Sequence, residues 1–290
     1  MSLQPTALTP DLLVAQSDFF LTNSGAFVSG GEALLIDPCM RPAEIDALAA
    51  AVDALGAVPR WLLLTHSHWD HILGPERLPG VPVLAQAHFP VAIAQAAAHF
   101  QRELGVWEAH IERHRATPFV APVPDVLVAD DYALPVGALH LRLLHVPGHA
   151  ADQLAVYDAA SGTLWASDIL SDTELPLVAH SLAAYDRTLN RLAALDLRAL
   201  VPGHGTPSTD PAAIQTRLSE DRAYLAELGR RVARAVRQGL TPAETVAECA
   251  DIPYRHPAEN AGPHRLNVES AFLELGGEGD RRTLGWGQYE

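Results

Sequence analysis

The chain has 290 residues, 48% of them hydrophobic, and sets 20 basic side chains against 35 acidic ones for a formal charge of −15. An acidic balance of that size works against nucleic acid and other polyphosphates as partners, and no stretch is long and apolar enough to span a membrane. Met1–Thr6 carries neither a basic segment nor a long apolar core, so the expectation is a cytoplasmic protein acting on a small molecule, of open oligomeric state.

In chain order, Gly30-Gly31-Glu32 separates Ala26-Phe27-Val28 from Leu34-Leu35-Ile36 and reads as a hairpin turn. After Pro42, which suits a first helical turn, Ile45, Leu48, Val52 and Leu55 recur at helical spacing. Trp61–Leu64 is a short buried strand, and it runs into Thr65-His66-Ser67-His68-Trp69-Asp70-His71. An extended segment alternates faces, which would put His66, His68 and Asp70 on one side with His71 swinging in at the next turn. Imidazole and carboxylate together suit zinc and its first-row neighbours, whereas calcium and magnesium call for oxygen ligands.

From His88 to Arg115 helical spacing runs through Val91, Ala94, Ala98 and Leu104, breaks at Gly105, and resumes in a second short helix with Trp107 and Ile111. Two such inserted helices could wall a pocket as a lid, or pack on the outside of the domain. His99, His110 and His114 read as surface residues, and His140 and His145 face opposite sides of the strand Ala138–Val146. Val146-Pro147-Gly148-His149 and Val201-Pro202-Gly203-His204-Gly205 each place a His after an apolar run and a Pro-Gly turn, while Thr163–Ser167 is a strand ending in Asp168. His66, His68, Asp70, His71, His149, Asp168 and His204 exceed what one tetrahedral ion can use, and two ions sharing Asp168 account for all of them.

Ser181–Leu195 is helical through Leu182, Tyr185, Leu189 and Leu192. Asp210-Pro211 then caps a helix striped by Ile214, Leu218, Leu225, Leu228 and Val232, and Thr241-Pro242-Ala243-Glu244 opens one more. These strands and helices form a layered α/β chain, expected to divide into a catalytic domain over 1–209 and a helical extension over 210–290 packed on it. Arg230-Arg231-Val232-Ala233-Arg234 is the solvated face of the long helix. Cys39 and Cys249 share no metal-binding spacing and read as inert thiols; His180, Tyr254, His256, His264, Arg265 and Asn267 read as surface residues, with contact to a substrate as the alternative reading.

The His-x-His-x-Asp-His core, the two Pro-Gly-His turns and the strand-terminal Asp168, in this order from about Phe19 to His204, resemble the metallo-β-lactamase-fold hydrolases. The resemblance implies an αββα four-layer sandwich, with His66, His68 and His149 on a first metal, Asp70, His71 and His204 on a second, and Asp168 bridging them. Two divalent transition-metal ions, zinc first with iron or manganese as alternatives, would turn a shared water into a bridging hydroxide near neutral pH. Asp70 would orient that water or pass its proton to the leaving atom.

True β-lactamases of this fold typically carry Cys or Ser where this chain has Asp168, which points away from antibiotic hydrolysis. The Thr-His-x-His-Trp-Asp-His core is similar to the glyoxalase-II group, although Ile169–Leu177 lacks the Lys or Arg expected to hold glutathione. Acyl-homoserine-lactone hydrolases usually place Tyr where Ser171 stands, and the tRNA-processing nucleases of the fold fit poorly with an acidic chain lacking a basic docking arm. The expected activity is hydrolysis of a small-molecule ester, thioester or lactone. Alternatives are a persulfide dioxygenase holding one iron through His66, His149 and Asp168, or a small-molecule phosphodiesterase.

Overall fold

The computed structural model describes residues 4–111 and 118–279, which form a mixed α/β structure of two sheets and six helices. The chain divides into two compact units: residues up to His145 with Leu154–Ala159, and Val146–Gln153 with the residues from Ala160 onward. Residue 209 falls inside the second unit.

The first unit holds a seven-stranded sheet in sequence order: β1 (Thr6–Thr9), β2 (Leu12–Gln16), β3 (Asn23–Ser29), β4 (Glu32–Ile36), β5 (Val58–Leu63), β6 (Val83–Gln86) and β7 (Val126–Val128). Pairing is antiparallel through β4 and parallel from β4 to β7. The β3–β4 hairpin closes at Gly30-Gly31 as the sequence predicts, and Ala33–Ile36 are fully buried, as a central strand covered on both faces must be. An antiparallel set of β8 (Tyr132–Val136), β9 (Leu139–His145) and β10 (Leu154–Asp158) completes this unit's strands.

Helix α1 (Pro42–Ala54) buries Ile45, Leu48 and Val52, but Leu55 lies past its last turn and is exposed. The region expected to hold two helices is a single one among the described residues, α2 (Phe89–His110), unbroken at Gly105 because one helical glycine costs only about 1 kcal/mol. Its buried face overlaps the expected one only in part: Leu104 and Trp107 pack inward as expected, joined by Phe89 and Phe100, while Val91, Ala94 and Ala98 are exposed. Trp107 lies over Phe19, ring centroids 3.9 Å apart, and joins the core cluster that includes Leu35, Leu62 and Ile72. His114 and Arg115 lie outside the described residues.

The second unit contains the parallel pair β11 (Thr163–Ser167) and β12 (Ala199–Pro202) with four helices, α3 (Leu182–Leu192), α4 (Pro211–Arg237), α5 (Pro242–Cys249) and α6 (Ala261–Glu274). The expected caps are present: Asp210 Oδ1 accepts from Ala212 N at 2.9 Å, and Thr241 and Glu244 form a reciprocal box at the start of α5. Helix α6 was not foreseen. Residues His264 and Leu266–Phe272 are buried, so α6 lacks the polar face that gives a surface helix its apolar stripe. No helix among the described residues is long and apolar enough to cross a membrane.

Candidate functional site

In the first unit the motif follows β5 directly, but not as an extended segment. The strand ends at Leu63, and Trp69–His71 form one tight 3-10 turn closed by His71 N donating to His68 O at 3.1 Å. His66 and His68, which precede the turn, present nitrogens within 4.8 Å of each other, as i, i+2 residues on one side should, and the turn brings His71 Nε2 to 3.6 Å from Asp70 Oδ2. His66 and His71 are fully buried, with ring centroids 4.3 Å apart.

Asp37, at the end of β4 and fully buried, holds this arrangement and was missed in the sequence. Its Oδ2 lies 2.9 Å from His71 Nδ1 and accepts from Thr65 Oγ1 at 2.5 Å, while Oδ1 accepts from Thr65 N at 2.8 Å. Thr65 Oγ1 is 3.2 Å from His66 Nδ1, so one carboxylate fixes the ring of one candidate ligand directly and a second through a hydroxyl. A carboxylate behind imidazole Nδ1 is the usual support for a histidine that coordinates metal through Nε2. The available signal was an acid after the apolar run Leu34-Leu35-Ile36, and that pattern alone is common.

In the second unit one carboxylate oxygen faces two imidazoles: Asp168 Oδ2 lies 3.3 Å from His149 Nε2 and 3.6 Å from His204 Nε2. The glycines of the two Pro-Gly-His turns are there because a Cβ has no room. At Gly203 it would sit 1.9 Å from Asp168 Oδ1, and at Gly148, whose φ is +151°, 2.5 Å from Tyr185. Thr188 Oγ1 donates to Pro147 O at 2.7 Å and Tyr185 Oη to Asp168 O at 3.3 Å, so α3 braces both the first turn and the acid. Burial pushes the Tyr185 hydroxyl far up from its ordinary value, which keeps it a neutral donor.

The segment after Asp168 is held by residues from the C-terminal helices. His149 Nδ1 lies 3.2 Å from Leu177 O. On either side of Leu177, Asn267 accepts from Val178 N at 2.6 Å and donates to Pro176 O at 2.8 Å. Asn260 binds Thr173 O and Leu175 N, and Arg255 donates to Ser171 O and Glu174 O. Two of the expected surface residues are therefore core: Asn267 is fully buried, and His264 is buried between Tyr224 Oη at 2.9 Å and Cys249 O at 3.0 Å, with burial lowering its pKa. Arg265 is exposed and pairs with the buried Glu269, His180 is exposed, and His256 reaches Asp172 O at 3.1 Å.

The donor set in each unit suits a borderline divalent ion, with neutral imidazoles and carboxylates whose candidate ligand atoms lie close together and are largely shielded from water. Both thiols lie elsewhere: Cys39 is buried with its pKa raised well up by desolvation, and Cys249 is buried with its pKa pushed to about 11 by the same cause. Arg230, Arg231 and Arg234 are engaged with Glu227, Asp251 and Glu248 and do not form an open basic patch.

Residues 17–204 match the family model described as the metallo-beta-lactamase superfamily. A probable metallo-hydrolase of Burkholderia pseudomallei is 31% identical over 170 residues, 52% of this chain and 53% of that one. A hydroxyacylglutathione hydrolase of Jannaschia sp. is 29% identical over 143 residues, 47% and 46% of the two chains. Among solved structures, the stereoselective inverting sec-alkylsulfatase of Pseudomonas sp. superposes with a TM-score of 0.74 at 18% identity, covering 94% of this chain and 50% of that one. The chain spans about half the length of these curated relatives.

Proposed function

The chain belongs to the metallo-beta-lactamase superfamily, and on that premise we propose that it is a binuclear metal-dependent hydrolase of a small-molecule ester, thioester or lactone. In this reading His66, His68 and His149 take one ion, Asp70, His71 and His204 take a second, and Asp168 serves both. The observation that carries it is Asp168 Oδ2 facing His149 and His204 at once, the placement asked of a bridging carboxylate. Asp37 adds to it: besides reaching His66 through Thr65 it braces His71 directly, a residue that a mononuclear iron site built on His66, His149 and Asp168 would not use.

Two divalent ions, zinc first with iron and manganese as competitors, would supply Lewis acidity for a carbonyl oxygen and a water activated near neutral pH. The chain's own contribution is positional. Asp70, 3.6 Å from His71 Nε2 and 13% exposed, is placed to orient a water and carry its proton to the leaving atom. Phe20, 55% exposed, stands edge-on to Trp69 at 6.5 Å, so an apolar surface adjoins the motif and would take the acyl part of a substrate.

Hydrolysis of hydroxyacylglutathione is the activity named for several relatives, but the glutathione moiety itself fits less well here. The segment after Asp168 carries Asp172 and Glu174 in place of basic residues. The arginines brought to it, Arg217 and Arg255, are engaged with its carbonyls and with Asp172, Glu220 and Asp221. A neutral acyl substrate is the better match. The test is elemental analysis together with a panel of acyl esters, thioesters, lactones, a phosphodiester, a sulfate ester and a cephalosporin after zinc, manganese and iron loading. Two ions per chain and turnover of carbonyl substrates are expected. One iron with persulfide oxidation, or turnover of the phosphodiester alone, would overturn the reading.

A further inference from the structure

The apolar stripe of α4 has one position that breaks its rule. Ile214, Leu218, Leu225, Leu228 and Val232 are buried as a core-facing helix requires, and Asp221, which continues the same spacing, is buried with them at 1% exposure. Its Oδ1 takes Arg255 Nη2 at 2.5 Å, whereas its Oδ2 is buried with no hydrogen-bond partner. A buried carboxylate oxygen is costly in that state unless something donates to it.

Asp221 lines a cavity of about 580 Å³ lying wholly within the second unit, a volume in the range of small-molecule sites. Its walls are largely apolar, with Leu175, Pro176, Ile252 and the ring of Tyr254, and Glu220 stands at its edge, 59% exposed. Glu227, also in the wall, is already neutralised by Arg230 and Arg231, and Arg255 is shared by Asp221 and Glu220. With Asp221 ionised these groups leave one negative charge in excess, and Tyr224 and Tyr254 line the same cavity. None of the seven candidate metal ligands lines it.

From this geometry we infer that the cavity is a second small-molecule site, selective for an organic cation: a protonated amine on an apolar body, its N–H aimed at Asp221 Oδ2 and its charge against Tyr254. A carboxylate would be repelled by Asp221 and Glu220, and a neutral hydroxyl would supply the hydrogen bond without the charge. A cation over a tyrosine ring and a charge-assisted hydrogen bond in a low-dielectric pocket act on the same ligand group. Burial raises the Asp221 pKa to about 7, consistent with an acid whose second oxygen lacks a donor.

The experiment is calorimetric titration of the full-length chain with phenethylammonium, 2-phenylethanol and 3-phenylpropionate, three probes of similar shape and different charge. The ammonium is expected to bind about tenfold or more tighter than the alcohol, the carboxylate weakest. Asp221→Asn should weaken the ammonium by about tenfold to a hundredfold, and Tyr254→Leu, which leaves the Arg255 contacts intact, by a few-fold. Asp70→Asn should leave the affinity unchanged, which separates this cavity from the hydrolytic centre. Failure of the hydrolase reading would leave these results untouched. Equal affinity for the three probes, no binding by any of them, or indifference of the ammonium to both Asp221→Asn and Tyr254→Leu would each overturn the inference.

Discussion

Asn267→Ala tests whether the C-terminal helices hold the active-site segment or merely cover it. Asn267 is fully buried and makes three hydrogen bonds: it accepts from Val178 N at 2.6 Å and donates to Pro176 O at 2.8 Å and to Tyr224 Oη at 3.0 Å. Alanine removes the partners of two buried backbone groups, at ~1–3 kcal/mol each, so a destabilisation of about 4 kcal/mol is expected. For a chain of this size that corresponds to a fall in Tm of about 8–16 °C. Urea unfolding followed by circular dichroism gives the free energy. A chelator competition gives the second readout: Leu177 O, clamped between the two bonds to Asn267, is the partner of His149 Nδ1, so about tenfold weaker metal binding should accompany the loss. A free-energy change below about 1 kcal/mol, with metal affinity intact, would refute the clamp.

Asp37→Asn should lower the affinity of the ion assigned to His71 by about 10–100-fold with less change in the other, measured by stepwise chelator titration. Equal effects on both would argue that Asp37 acts through Thr65 on His66 as much as on His71. The Asp221 carboxyl is raised from 3.8 to about 7, chiefly by burial, so the folded chain binds its proton more tightly than the unfolded one. That contribution to stability is complete below about pH 4 and is lost as the pH climbs to about 7; Asp221→Asn should flatten the urea midpoint across this window, and an unaltered slope would count against it. Phe20→Ala should raise KM for long-chain acyl substrates without changing metal content, whereas Trp107→Ala, at 2% exposure, should cost ~3–5 kcal/mol of stability instead.

The seven candidate ligands could be picked out in the sequence because metal chemistry admits few residue types and the fold delivers them in short local motifs. The Pro-Gly-His turns belong to the same class: Gly203 and Gly148 stand where a neighbouring side chain leaves no space for a Cβ, so the requirement is written at the position it constrains. Two other elements were equally visible, the β3–β4 hairpin through its Gly-Gly turn and α4 through its one-sided stripe. Helix α6 was not, since burial on most sides erases the 3.6-residue period by which an amphipathic helix declares itself. The face of α2 was misassigned in part for a related reason: alanines at 94 and 98 fit a helical period as well as phenylalanine at 100 does, and only the core under Trp107 decides which set turns inward.

What holds the ligands in place has a different informational character. Asp37 acts on His71 across 34 positions, and Asn267 acts on Pro176 and Val178 across about 90. The group that orients His149 is a backbone carbonyl, which every residue possesses, so nothing about Leu177 as a residue type marks it. Asn267 and His264 look like ordinary polar residues of a C-terminal tail. A buried amide whose donors and acceptor are all satisfied costs little, and the same amide with those partners removed costs a great deal. The tail can therefore specify the segment after Asp168 through a handful of polar contacts while presenting no motif, which is why substitutions there should be felt at the candidate metal ligand His149.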